Sequence, residues 1–286
     1  MYAAGGNGDG ADCLIDLRRV GLRRNGREIL RDIDWRVRRG EHWAVIGANG
    51  SGKTTLLQIA GAVLFPSSGE ATVLGGRFGA ADLFKLRRRV GWVASALTAR
   101  LPGGETARDI VISGLKATFG LVYEYSEADR LKADETLRRL GLADRADAPF
   151  GVLSQGEQQK TLFARALMAG PELLILDEAC SGLDLSAREA FLRAVGGVAA
   201  RREAGLILVT HHIEEIPAAV THALILGAGR VLASGRVDAV LTPEILSPAF
   251  GLDVRIERRG GRFWTRVEGR PLAGPRQDKA QGGRMG

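Results

Sequence analysis

The residues best placed to do chemistry form one run: Gly47, Ala48, Asn49, Gly50, Ser51, Gly52, Lys53 and Thr54, with Thr55 directly after it. The run fits the spacing G-x-x-x-x-G-K-[ST] of a phosphate-binding loop. A polyphosphate needs several N–H donors aimed inward at once. Glycines let the backbone curl and approach closely, and a helix N-terminus adds free N–H groups and a favourable dipole. Lys53 is expected on the β- and γ-phosphates, and the Thr54 hydroxyl on Mg²⁺. A second constellation is Asp177 and Glu178, which end the apolar run Leu173-Leu174-Ile175-Leu176. Asp177 is expected to hold the Mg²⁺ shell, directly or through water. Glu178 is placed to polarise a water that attacks the γ-phosphate. A phosphate loop alone also suits a kinase; the second acid favours hydrolysis.

Elements of defined kind must position these groups. Residues 43–46 read as a short buried strand before the loop, and a helix opening near Lys53 turns Leu56, Leu57, Ile59 and Ala60 inward. Residues 90–93, 173–176 and 206–209 are apolar runs of strand length, suited to parallel strands covered on both faces. Helical patterns over residues 128–140, 156–168 and 186–200 intervene. Near the start, residues 14–19 and 33–37 read as strands, with Asn25-Gly26 as a hairpin turn between them. Alternating strands and helices imply an α/β fold with a mainly parallel sheet. The helix-rich stretch at about residues 97–151 reads as an insertion between two core strands.

Composition bounds the rest. The chain has 286 residues, 45% apolar and 26% charged, with a formal charge of +7. That charge suits anionic partners without choosing among nucleotide, nucleic acid and lipid. No apolar run reaches the roughly 18 residues needed to span a bilayer, so spanning helices would come from another chain. Two cysteines, Cys13 and Cys180, form neither a disulfide framework nor a metal spacing and point to a reduced cytosolic setting. The runs Arg87-Arg88-Arg89 and Arg138-Arg139 read as solvated faces rather than nucleic-acid contacts. Trp35 and Trp43 read as packing residues.

Further motifs resemble a family. Leu153-Ser154-Gln155-Gly156-Glu157-Gln158-Gln159 resembles the LSGGQ signature of ABC ATPases, Ser181-Gly182-Leu183-Asp184 their D-loop, and Thr210-His211 their switch histidine. The resemblance covers roughly residues 14–235 and is loosely closest to the molybdate-type subgroup. It implies the P-loop NTPase fold: a mainly parallel core sheet with an antiparallel β subdomain and an inserted helical subdomain. It also implies a homodimer, or a pair of cassettes, with two Mg-ATP at the interface. Ser154 and Gly156 of one chain then face the γ-phosphate held by the other, and His211 senses that phosphate.

Three departures stand out. Gln155 and Glu157 replace the usual first Gly and Gln of the signature. Ser95 stands where the family usually has the Q-loop glutamine, and becomes the candidate for that Mg²⁺ contact. Arg24 stands where many members carry the adenine-stacking tyrosine; a guanidinium plane can also stack on a base. The chain reads as a disordered N-terminus over 1–11, an ATPase domain over 12–240, a small C-terminal extension over 241–270 and a disordered tail over 271–286. The implied role is the ATPase subunit of a transporter, on the inner face of the cell membrane with a separate permease. The alternative is a soluble ABC ATPase acting on nucleic acid, the ribosome or an assembly complex.

Overall fold

The computed structural model describes residues 12–268, so the readings for 1–11 and 271–286 lie outside the described residues. The chain opens on a long hairpin, β1 (Cys13–Arg24) and β2 (Arg27–Arg38). Asn25 (φ 52°) and Gly26 (φ 73°) take the left-handed conformation that a tight hairpin turn demands. Along β2, Ile33, Trp35 and Val37 are buried while Asp34, Arg36 and Arg38 face water, so one face of the hairpin is a core face. β3 (His42–Ile46) follows and leads through the glycine-rich loop into α1 (Lys53–Ala60). β4 (Ser68–Val73) and β5 (Gly76–Arg77) then complete an antiparallel sheet of order β2-β1-β4-β5.

After α2 (Leu83–Arg87) comes β6 (Val90–Ala94). The chain then leaves the sheet for a helical segment that includes α3 (Ala107–Ser113), α4 (Glu127–Arg139) and α5 (Gln155–Met168). It returns as β7 (Leu173–Asp177), followed by α6 (Leu185–Ala200), β8 (Gly205–Thr210), β9 (His222–Gly227) and β10 (Arg230–Arg236). α7 (Val237–Val240), α8 (Pro243–Phe250) and the hairpin β11 (Val254–Arg259)–β12 (Arg262–Val267) close the described chain.

The core sheet has order β10-β9-β3-β8-β7-β6. All its pairings are parallel except β9–β10. Both faces of the central strands are covered, as their unbroken apolar composition requires. Leu173 and Ile175 of β7 pack with the antiparallel sheet and α1, whereas Leu174 and Leu176 pack with α5, α6 and the inserted helices. A third cluster, holding Ala44, Ile46, Ile225, Leu246, Val254 and Phe263, joins the C-terminal elements to β3 and β9. The tryptophans pack as read. Trp35 and Trp43 meet edge to face at 5.8 Å, and Trp43 stacks on His222 at 4.9 Å.

This order places the C-terminal ends of β3, β7 and β8 side by side. Ile46 pairs with Thr210, and Asp177 with Val209. The glycine-rich loop, the paired acids and His211 therefore emerge at one edge of the sheet, where open α/β sheets place their ligands.

Candidate functional site

The loop after β3 is held by its own backbone. The Ser51 N–H donates to Ala48 O at 3.1 Å, and the Gly229 N–H from the β9–β10 turn donates to Ser51 O at 3.0 Å. Gly229 O in turn accepts from the Arg31 N–H at 2.8 Å, which ties the loop to the antiparallel sheet. Gly52 has φ 104°, a conformation L side chains rarely adopt, and a Cβ on Gly47 would lie 2.2 Å from Leu226 O. Glycine is required at both places. Gly52 is also the N-cap of α1 and supplies no side-chain cap, so the first turn keeps free amide donors. The Ser51 hydroxyl is buried without a hydrogen-bond partner.

Lys53, only 5% exposed, folds back over this loop. Its ammonium donates to Gly47 O at 2.8 Å and Ala48 O at 3.2 Å, and lies 4.0 Å from Glu178 Oε1. Burial lowers its pKa; the carboxylates of Glu178 and Asp177 pull it back up. Asp177 ends β7 beside it. Burial first, then the charge of Glu178, lifts its pKa from 3.8 to about 6, against the pull of Lys53. A half-buried carboxylate of this kind favours a cation beside it. Thr54 is exposed on the first turn of α1 and lines the same cleft.

Glu178 adopts φ 47°, a left-handed conformation unusual for a residue with a side chain, and its N–H donates to Val209 O at 3.0 Å. The bend leaves its carboxylate between two cations or potential cations: Lys53, and His211 Nδ1 at 3.5 Å. The cleft measures about 400 Å³ and is lined by Asn49, Gly50, Lys53, Thr54, Thr55 and Glu178, with Ile29 as a wall. A second hollow of about 180 Å³ also touches Glu178 and is lined by Ser181, Gly182, Arg188, Thr210 and His211.

The other sequence-selected residues lie around this centre in distinct ways. Ser95 Oγ donates to the backbone oxygen of Glu178 at 3.3 Å, so it braces the bend. Asp184 caps α6, accepting from the Ala187 N–H at 2.8 Å. Arg24 is exposed at the tip of the first hairpin and does not line the cleft; Ile29, further along the same hairpin, does. Ser154 is exposed at the N-cap of α5 and does not line its own chain's cleft, and Gly156 abuts α6 so closely that a Cβ would lie 2.7 Å from Ala187 Cβ. The arginine runs are largely tied into the fold: Arg89 pairs with Glu172 at 2.6 Å, Arg138 with Glu135 at 2.7 Å and Arg139 with Glu203 at 2.6 Å.

Three residues escaped the sequence reading. Ile29 forms a cleft wall. Glu215 is a buried acid that accepts from Thr210 Oγ1 at 2.5 Å beneath the histidine turn. Arg145 binds the Glu157 carboxylate at 2.9 Å. None carries a local signal, because only the fold brings each to its partner.

A glycine loop, lysine, paired acids and histidine at one edge of a parallel sheet define a P-loop nucleotide hydrolase. The family model described as ABC transporter matches residues 30–181. The chain is 45% identical over 258 residues to an uncharacterized ABC transporter ATP-binding protein, YlmA, of Bacillus subtilis, covering 89% of this chain and 98% of that one. Among solved structures it resembles cbiO1 of Clostridium perfringens, part of the ABC transporter complex cbiONQ, with TM-score 0.72 and 25% identity over 82% of this chain and 93% of that one. It also resembles the dimeric bacterial ABC transporter cassette MJ0796, with TM-score 0.68 and 25% identity over 78% and 98%. The chain belongs to the ABC transporter ATP-binding family and is the ATP-binding, ATP-hydrolysing subunit of such a transporter. Among the described residues, no helix is long and apolar enough to cross a membrane.

Proposed function

We propose that two copies of this chain, or this chain and a paired cassette, close head to tail around two Mg-ATP and so drive a separate permease at the inner face of the membrane. The observation that carries this is the convergence of Lys53, Asp177, Glu178 and His211 on a loop whose helix is left open at its N-terminus. Gly47 to Thr55 cradle the triphosphate through backbone N–H groups, with Lys53 on its β- and γ-oxygens. Asp177 and Thr54 hold Mg²⁺, which would neutralise phosphate charge when bound. Glu178 orients the attacking water, and His211, within 3.5 Å of it, steadies the γ-phosphate. Ser154 and the α5 amides near Gly156 contact the phosphate held by the partner. Catalysis on this reading is positioning plus electrostatic stabilisation.

Ser95 acts through Glu178: by holding its carbonyl, it links the β6 end to the catalytic bend. The dimeric MJ0796 cassette supports the two-copy arrangement. The test is light scattering of Glu178→Gln with Mg-ATP. The reading predicts an ATP-dependent dimer that dissociates in ADP; a particle that stays monomeric at saturating Mg-ATP would reject it.

A further inference from the structure

The tip of α5 carries a feature that goes beyond the signature chemistry, and the inference drawn from it rests on the proposed two-copy sandwich. A serine hydroxyl has one proton to donate. Here Ser154 Oγ donates it to Glu157 Oε2 at 2.8 Å, and the same oxygen accepts the Ser154 N–H at 2.9 Å. The Glu157 N–H donates back to Ser154 Oγ at 3.3 Å. The hydroxyl proton that the partner's phosphate needs is already engaged by a carboxylate of its own chain.

That carboxylate is an anion at any neutral pH. The Ser154 N–H, its hydroxyl and Arg145 together hold the Glu157 pKa below the ordinary range. Arg145 Nε reaches the other oxygen, Oε1, at 2.9 Å, from a 3-10 turn before α5. The signature that this segment resembles has glutamine at position 157, which offers the same acceptor oxygen without the charge. A triphosphate approaching Ser154 therefore meets a like charge, partly balanced by one guanidinium.

We propose that Glu157 is a positioning residue that holds the Ser154 hydroxyl away from the partner-bound phosphate, with Arg145 as its counter-charge, and thereby sets the ATP concentration at which the dimer closes. Closure turns the hydroxyl proton from Glu157 Oε2 to a phosphate oxygen; no bond other than hydrogen bonds changes. The carboxylate keeps the Ser154 N–H and Arg145, so the cap survives while the donor is released.

The experiment measures the Mg-ATP concentration for half-maximal dimerisation by light scattering, in the Glu178→Gln background. Adding Glu157→Gln keeps the capping oxygen, so the melting temperature should hold, while the ATP requirement should fall about five-fold, the scale of one partly exposed charge contact. Arg145→Gln should raise the requirement by a similar factor, and that effect should vanish in the Glu157→Gln background. A dimer whose ATP requirement is unchanged or higher with Glu157→Gln overturns the proposal. So does an Arg145→Gln effect that persists without the carboxylate, which would put Arg145 on the phosphate itself. A Glu178→Gln chain that never dimerises with ATP instead overturns the sandwich on which the proposal rests.

Discussion

The N-termini of α1 and α5 are both offered to phosphate in the proposed dimer, yet they are built in opposite ways. α1 begins at a glycine with no side-chain cap, and the neighbouring Ser51 hydroxyl is unpartnered. α5 begins with a full capping box in which Ser154 and Glu157 satisfy each other. α3 and α4 begin with similar boxes and α6 with an aspartate cap, whereas α1, like α7 and α8 near the end of the described chain, has no side-chain cap. An open terminus costs stability when no ligand is bound, since its donors lack partners within the protein. The contrast teaches that α1 is preorganised to receive an anion within its own chain. α5 is stable alone and yields its donor only to a competing acceptor.

The largest effect that sharpens this contrast is expected at Lys53, the cation fixed over the open terminus. Lys53→Ala should lower ATP turnover by about 10²–10³-fold, the scale for removing one preorganised electrostatic group, read as phosphate release at saturating Mg-ATP. Gly52→Ala attacks the opening itself. Its φ of 104° and a Cβ 2.9 Å from Leu30 Cδ2 should cost about 1–3 kcal/mol of stability and weaken nucleotide binding, measured by denaturation and by titration calorimetry. A variant that binds ATP normally would remove the argument for a shaped cradle.

At α5 the expected effects are smaller and split. Ser154→Ala should cost about 1 kcal/mol from the lost cap and also lower turnover, because both the cap and the donor disappear. Thermal melting and phosphate release read the two losses separately. A stability loss with unchanged turnover would make Ser154 a cap and nothing more.

The smallest effect concerns Asp177, next to the open terminus. Burial raises its pKa from 3.8 to about 6, so the folded chain holds that proton more tightly than the unfolded chain. Its contribution to stability is therefore full below about pH 4 and is lost as pH rises through about 6. Asp177→Asn should flatten this dependence and stabilise the nucleotide-free protein near neutral pH by about 1 kcal/mol, after allowance for solvent screening. Melting curves between acid and neutral pH check it. An unchanged pH profile would show that the carboxylate carries no desolvation penalty.

The sequence made the fold legible where local pattern and tertiary demand agree. Unbroken apolar runs marked the strands that became β7 and β8, and the alternation of residues 33–37 marked one buried face of β2. Glycines and a lysine at fixed spacing marked the loop because backbone geometry dictates those types. Ser95 was legible only as a position: its bond to the Glu178 carbonyl depends on β6 lying beside β7. Arg24 matched the family pattern by position alone, and the fold puts it at the exposed hairpin tip, outside the cleft lining. The Arg145–Glu157 pair and the buried Glu215 had no local signature, since ion pairing and burial arise when separate segments meet.

Cross-linking decides whether the open terminus of one copy meets the capped terminus of another across ATP. Asn49→Cys in one copy and Gln155→Cys in a differently tagged copy are mixed with Mg-ATP in the Glu178→Gln background and treated with a short bismaleimide. A mixed dimer should form with Mg-ATP and be lost with ADP. A mixed dimer that ignores nucleotide, or none at saturating Mg-ATP, would contradict it.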